Sequence, residues 1–344
     1  MITQRTGSPA PMLERRSASM GSRTVLPPPV EVAVAVVRAG DGRCLLAERR
    51  PHQVAAGQWE FPGGKMERGE TAAAAVVREL AEEIGITPVS LRPGPVHEHA
   101  FPTRRVRLNY FFVDAWTGAP HGREGQQVAW VDPRDRSFGP LLPSNHRMID
   151  MLALSDTCLV IDAARGQDAN ALLDAFRAAL ADGRRLFQLR AAALAPSQRV
   201  ALGRRIATLA DGAGATVLLV GTALEAQRAG LAGVHTAAAD LGRIIARPET
   251  RLWSVSVHDE AGLRRAEALG ADFVLLSPVL PTASHPDSPA LGWAGLQRLA
   301  AAARIPLYAQ GGMSAATLAD ARRAGSAGIA MALPIAGTTT RRPG

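Results

Sequence analysis

Gly64–Ile86, GKMERGETAAAAVVRELAEEIGI, is the stretch on which the reading of the first half of the chain turns. From Gly64 a glutamate stands six residues on at Glu70, Arg78-Glu79-Leu80 follows, then Glu82-Glu83, then Gly85-Ile86. Thr71 to Ile84 has helix-forming composition, with Ala72, Val76, Leu80 and Ile84 recurring at about one-turn spacing. One amphipathic helix is expected there, with Gly85 capping its C-terminus. On such a helix Glu79, Glu82 and Glu83 stand at i, i+3 and i+4, so their carboxylates share one face. Like charges that close repel, and hard oxygens at that density suit Mg²⁺ or Mn²⁺. Magnesium commonly binds through few carboxylates plus substrate phosphates, so the helix face reads as half a site and a pyrophosphate ester as the rest. A metal there would neutralise phosphate charge and activate a water for in-line attack. Arg78 is expected to orient the carboxylates, and the Gly63-Gly64 turn to let backbone carbonyls approach the metal. The bland alternative, a solvated acidic helix face, suits any single glutamate better than the full constellation.

Around this helix, Val30 to Val37 is a β-branched run followed by a Gly40-Asp41-Gly42 turn and then Cys44 to Ala47, a hairpin signal. Val106 to Trp116 and Val128 to Val131 supply further strands, and His146 to Leu154 a second helix. From Cys158 onward strands and Ala-rich helices alternate, with apolar strand cores at Leu159, Leu186, Val217, Val234, Leu252, Phe273, Leu307 and Ile329. Eight such strands suit a closed parallel barrel. Because the chain ends at Gly344, soon after the eighth strand, closure is expected to be incomplete or completed by another segment.

At 344 residues, two domains of ordinary size are the natural reading. The expected boundaries are a disordered Ser/Pro/Arg-rich leader at 1–29, a first domain at 30–154, a barrel at 155–337 and a tail at 338–344. The leader lacks an apolar segment of the secretory kind, and Met12 or Met20 is an equally good start. The longest apolar runs, such as Val217 to Val220, are too short to cross a bilayer, so no membrane association is expected. Cys44 and Cys158 are the only cysteines, each inside an apolar run, which fits core packing and a reducing cytoplasm. The net charge is +8, but Lys65 is the only lysine and the arginines are spread along the chain. Composition bias explains this, and no stable nucleic-acid binding is expected.

The first domain, over roughly residues 30 to 150, resembles the MutT branch of the Nudix family. The resemblance extends beyond Gly64–Ile86 to Glu60-Phe61-Pro62-Gly63-Gly64-Lys65, Phe101-Pro102 with Arg104, Gly122 to Gln126, and Pro143-Ser144-Asn145. It implies an α/β/α Nudix sandwich, release of pyrophosphate from a nucleoside triphosphate, and a further catalytic glutamate at Glu124. It also implies Gly63 and Glu79, Glu82, Glu83 and Glu124 as metal ligands, with Arg50 and Phe61 holding phosphate and base. Asn145 matches the position that reads the oxidised base. An 8-oxopurine has an N–H at N7 beside the O6 acceptor, which an amide side chain can match, whereas guanine offers two acceptors. Such a polar mismatch discriminates by up to roughly 10⁴-fold. An equal alternative makes Asn145 the N-cap of the following helix.

Residues 157 to 337 resemble the thiamine-phosphate synthase and TenI superfamily, a TIM (β/α)₈ barrel. The matching pieces are Gln188-Leu189-Arg190, Gly233-Val234-His235, Ser256-Val257-His258, Ser277 to Thr282 and Gln310-Gly311-Gly312, all where strands end. The resemblance places a second site at Arg190, Asp240, His258, Thr282, Gly311 and Gly312, open to a thiamine-related phosphate. The synthase's Asn-Asp-Arg run is replaced by Gly221-Thr222-Ala223, and its two phosphate-contacting lysines by Ala192 and His285, which argues against synthase activity. His258 instead matches the histidine of TenI-type tautomerases, where an imidazole shuttles a proton. The leading expectation is a Mg²⁺-dependent hydrolase of 8-oxo-dGTP serving nucleotide-pool sanitation and DNA repair, with a degenerate barrel. The alternatives are clearance of thiamine-pathway pyrophosphates coupled to a TenI-like barrel, and a barrel that senses a thiamine phosphate and regulates the hydrolase.

Overall fold

A computed structural model describes residues 28–163, 169–282 and 288–333. The expected leader lies almost entirely, and the expected tail wholly, outside the described residues, as does His285.

The first half builds two sheets. A four-stranded sheet runs β4 (Gly63–Lys65), β1 (Val30–Val37), β6 (Arg104–Thr117), β5 (Thr87–Phe101), with β1 and β6 parallel and the outer pairs antiparallel. A three-stranded sheet runs β3 (Trp59–Glu60), β2 (Cys44–Glu48), β7 (Val128–Val131). Strand β1 is apolar on both faces because both are covered. Ala33, Ala35 and Val37 pack with Ala75 and Val76 of helix α1 (Ala72–Glu79), while Val34 and Val36 pack with Met148 and Ile149 of helix α2 (His146–Leu152). The sheet therefore lies between two helices, as an α/β/α sandwich requires.

The expected hairpin between β1 and β2 is corrected. Gly42 makes the turn with a φ of 89°, but only the single bridge Arg38↔Cys44 joins the arms before they diverge into different sheets. A turn signal sets local direction, whereas pairing beyond it is decided by which sheet buries each strand. Strand β5 escaped the sequence reading because Pro88, Pro93, Gly94 and Pro95 argue against a strand. It is an edge strand, paired only with β6, and its register shifts at Pro88/Ser90, Ser90/Arg92 and Pro93/Val96 absorb those residues.

The second half is a closed barrel of eight parallel strands: β8 (Thr157–Asp162), β9 (Leu186–Arg190), β10 (Thr216–Val220), β11 (Gly233–Thr236), β12 (Leu252–Val257), β13 (Phe273–Leu276), β14 (Leu307–Gln310) and β15 (Gly328–Ala332). The expectation of incomplete closure is overturned. Strand β15 pairs directly with β8, from Ile329↔Thr157 to Ala332↔Val160, so backbone hydrogen bonds between the first and eighth barrel strands close the sheet. Inside lie Cys158, Leu186, Leu218, Leu252, Phe273, Leu275, Tyr308 and Ala330, plugged at the base by Leu154. Helices α3 (Ala169–Ala181), α4 (Pro196–Gly212), α5 (Ala223–Ala229), α6 (Ala238–Leu241), α7 (Glu260–Ala268), α8 (Gly292–Ala302) and α9 (Leu318–Arg323) surround it.

The halves meet at a charged latch. Arg147 of α2 donates to Asp272 at 2.5 Å and to the carbonyl of Gly270, while Arg247 donates to the same carboxylate at 2.8 Å. Asp272 is fully buried and also accepts from the Trp253 N–H at 2.7 Å.

Candidate active site

Thr71 starts α1 by accepting from the Ala74 N–H at 3.2 Å, a side-chain N-cap. The helix does not run on as one regular α-helix. From Leu80 to Ile84 it widens into a π-turn, and Gly85, at φ 73°, ends it by returning its N–H to the Leu80 carbonyl. Glu79 and Glu82 still share one side of the helix, where Arg78 Nη1 reaches both, at 2.9 and 3.2 Å. Glu79 and Glu83 are turned inward, the former with a side chain 13% exposed, whereas Glu82 is 59% exposed and, among the described residues, held only by Arg78.

The inward pair sits against the glycine turn. Glu83 accepts from the Gly63 N–H at 3.3 Å, and a Cβ on Gly64 would come within 2.1 Å of the Glu79 carboxylate. Gly63 itself has a φ of 147° and no room for a side chain beside the Ala33 carbonyl. The two glycines thus let backbone and carboxylates approach as no other residue could. Arg78 organises the cluster from outside: it pairs with Glu70 at 2.9 Å, Glu79 at 2.9 Å and Glu82 at 3.2 Å, and donates to the Lys65 carbonyl.

The loop carrying Glu124 is docked on the π-turn. The His121 N–H bonds to the Ile84 carbonyl, and the Arg123 N–H and the Gln126 side chain both bond to the Glu83 carbonyl, at 2.9 and 3.0 Å. The Glu124 N–H in turn donates to Gln126 at 2.9 Å. Arg50 ion-pairs with Glu124 at 2.9 Å, so two residues far apart in sequence meet here. Gln126 ties both glutamates to one backbone frame. Its only sequence signal was its place in the Gly122 to Gln126 run.

The electrostatics follow from this crowding. Burial, then the charges of Glu79, Glu60 and Glu124, push the Glu83 carboxyl up to about 7. Glu79 is also raised, chiefly by burial. Glu60, which sequence reasoning treated only as part of a motif, is raised by burial despite contacts of 2.5 and 2.6 Å from Arg49. Among the described residues no three His, Cys, Asp or Glu side chains are already gathered as a metal cluster, since Arg78 takes up Glu79 and Glu82, and Arg50 takes up Glu124.

Asn145 is 3% exposed and stands at the N-cap position of α2, but its side chain makes no capping bond there. Its Oδ1 instead accepts from the Phe61 N–H at 2.8 Å and its Nδ2 donates to Ser144 Oγ at 3.2 Å. Phe61 is 2% exposed and meets Tyr110 edge-on at 6.3 Å, so its ring belongs to the core. Arg104 lies over the Phe101 ring at 5.5 Å, at the β5–β6 turn, with no described contact to the acidic cluster.

At the strand ends of the barrel, Arg190 pairs with Asp162 at 3.6 Å, and His258 is exposed with Nδ1 held 2.6 Å from the Ser277 carbonyl oxygen. Gly311 and Gly312 have φ of 87° and 65°, and a Cβ on either would collide with the 278–281 segment. Thr282 follows that segment and is partly buried, whereas Asp240 only pairs with Arg243 one turn on, at 3.2 Å. Thr222, in the run that replaces the synthase's acidic one, is the N-cap of α5 and forms a capping box with Glu225. Sequence reasoning left His235 out of this site. It is buried between Ser254 and Ser256, each 2.8 Å away, and burial with the nearby Arg190 lowers it to about 3.

Comparison with known proteins agrees with this division. Residues 27–152 match the NUDIX domain family, and residues 157–335 match the family described as thiamine monophosphate synthase. An 8-oxo-dGTP diphosphatase of Haemophilus influenzae is 36% identical over 123 residues, covering 36% of this chain and 90% of that protein. A CTP pyrophosphohydrolase of Escherichia coli is 32% identical over 139 residues, covering 40% of this chain and 98% of that protein. A thiamine-phosphate synthase of Methanoculleus marisnigri is 37% identical over 168 residues, covering 48% of this chain and 80% of that protein. With a glycine turn closing on inward glutamates in one half and a closed parallel barrel in the other, the chain belongs to both families: it is a Nudix hydrolase joined to a barrel of the thiamine monophosphate synthase family.

Proposed function

We propose that the first domain is a nucleotide pyrophosphohydrolase that converts 8-oxo-dGTP to 8-oxo-dGMP and pyrophosphate, clearing an oxidised precursor before it enters DNA. The observation that carries this reading is the meeting of Glu79 and Glu83 with the Gly63-Gly64 turn, with Glu124 on a loop tied to the same π-turn. These residues fit a divalent cation. A carboxyl pushed up to about 7 by burial and by its neighbours' charge is relieved by a cation, and the missing side chain at Gly64 leaves the Glu79 oxygens room. Gly63, through its carbonyl, and Glu79 and Glu83 would hold Mg²⁺ or Mn²⁺, with Glu82 and Glu124 at the margin. The ion, when bound, neutralises phosphate charge and acidifies a water.

The chain's own residues do the remainder. Arg78 keeps Glu79 in place, Arg50 is drawn from Glu124 toward the substrate phosphates, and the freed Glu124 carboxylate accepts a proton from the attacking water. Asn145 reads the base. Its amide oxygen and nitrogen each have one bond in the protein, leaving one lone pair and one hydrogen for the O6 and N7–H edge of an 8-oxopurine. Pyrophosphate release from 8-oxo-dGTP and dGTP, with and without Mg²⁺, tests the proposal. We expect metal-dependent turnover with kcat/KM strongly favouring the oxidised nucleotide; equal efficiency removes the sanitising role. For the barrel we propose binding of a thiamine-related phosphate at Gly311-Gly312, on the strand-end face that also carries Arg190 and His258, where two positive-φ glycines turn the backbone.

The joining of the two domains favours a second reading, in which the hydrolase acts on thiamine-pathway pyrophosphates. Failure of such compounds to compete with nucleotide in the same assay rejects it.

A further inference from the structure

A cleft of about 800 Å³ lies between the two domains, away from both sites described above. One wall is the β5 edge of the Nudix domain, including Arg92 and His97. The other is the base of the barrel, where α7 and α8 end, at 268–271 and 301–305. This is the face opposite the strand ends that carry barrel active sites.

Its charge is out of balance. Six arginines line it against two glutamates, Glu98 and Glu267. Arg107 is matched by Glu31 and Glu98, Arg264 by Glu260 and Glu267, and Arg147 and Arg247 by the buried Asp272. Arg92 lies 4.4 Å from the centre of the Phe112 ring, and neither it nor Arg304 has an ion pair among the described residues. Beside them, His97 is only 3% exposed and, among the described residues, neither of its ring nitrogens has a hydrogen-bond partner. Burying an imidazole with both nitrogens unpaired is costly, and a ligand acceptor would offset that cost. The rest of the lining, with Pro93, Pro95, Leu269 and Ile305, is apolar, and the volume falls within the roughly 300–1,000 Å³ of small-molecule sites.

We propose that this cleft binds a small molecule bearing a diphosphate group, held across the domain junction by Arg92, Arg304 and His97. Each guanidinium can engage one phosphate through paired N–H donors, and the imidazole, whose nitrogens are closed off from solvent, donates its one N–H to a phosphate oxygen after a turn of its ring. Since the site is built from both domains, its occupancy also strengthens their association.

The test is calorimetric titration of the full chain with inorganic pyrophosphate in EDTA, comparing wild type with Arg304→Gln and His97→Phe. The phenyl ring keeps the packing against Tyr110, whose ring centre is 5.3 Å away. We expect saturable binding weakened about tenfold in each variant, the worth of one charge-assisted hydrogen bond. Glu83→Gln and Arg190→Gln, at the other two sites, should leave that affinity unchanged. ADP serves as a second probe: tighter binding than pyrophosphate identifies an organic diphosphate using the apolar floor, and equal binding identifies the diphosphate alone. Absence of saturable binding, equal affinity in wild type and Arg304→Gln, or loss of the binding in Glu83→Gln or Arg190→Gln overturns the proposal. Arg304 is exposed, so its variant stays informative even if His97→Phe does not fold; unchanged nucleotide turnover verifies that it has.

Discussion

Replacing Glu83 by glutamine should stabilise the metal-free protein while destroying its activity. The Glu83 carboxyl is displaced from an ordinary 4.5 to about 7, which at about 1.4 kcal/mol per tenfold in the ionisation constant is on the order of 3 kcal/mol. Below about pH 4.5 folded and unfolded chains both hold the proton, and the group contributes nothing. As pH rises from there to about 7 the unfolded chain ionises first, so the folded state loses stability; above about 7 the loss is complete. Glutamine has no proton to lose, and its amide oxygen can still accept from the Gly63 N–H. In EDTA, the advantage of Glu83→Gln should therefore be small near pH 5 and reach roughly 3 kcal/mol by pH 8, a shift on the order of 10 °C in the Nudix-domain transition. Differential scanning calorimetry across that range measures it. Added Mg²⁺ at pH 8 should then raise the wild-type transition and leave the variant's nearly unmoved. A difference independent of pH, or a wild type more stable than the variant at pH 8, would refute the claim that burial, together with the charges of Glu79, Glu60 and Glu124, lifts Glu83.

Three further outcomes follow from the contacts described. Gly64→Ala places a methyl within 2.1 Å of the Glu79 carboxylate, so turnover should fall by roughly 10²-fold with unchanged far-UV circular dichroism; near-normal turnover would mean that Glu79 has no fixed position to lose. Asn145→Ala removes the bond to the Phe61 N–H as well as the base edge, so the preference for 8-oxo-dGTP over dGTP should collapse while both KM values rise; a retained preference assigns base reading elsewhere. Asp272→Asn leaves Arg147 and Arg247 with no carboxylate between the domains and should cost about 3–5 kcal/mol in urea unfolding, and a cost below about 1 kcal/mol would show that the latch is solvated.

The acidic cluster was legible in the sequence because its members lie within one helical stretch, where spacing fixes direction. Even there, the π-turn from Leu80 to Ile84 escaped the reading, since nothing in LAEEI distinguishes it from α-helix. The turn is instead accompanied by tertiary partners, the loop donors of His121, Arg123 and Gln126 that take up its carbonyls. The pairing of Arg50 with Glu124 could not be read from residues 74 positions apart, nor could the use of Asn145 to hold the Phe61 backbone.

The amino-acid sequence alone determined the alternation of elements in the second half, the eight barrel strands, the glycine turn and the glutamates beside it, because these rest on periodicity and on what single residues permit sterically. Only the tertiary structure decided what depends on neighbours brought from afar: the separation of β1 and β2 into different sheets, the direct β15–β8 closure, and the placing of β5 at an exposed edge. The same holds for the field that lifts Glu83 and for the cleft holding His97, since burial and charge at a point are sums over surrounding groups that no local pattern encodes.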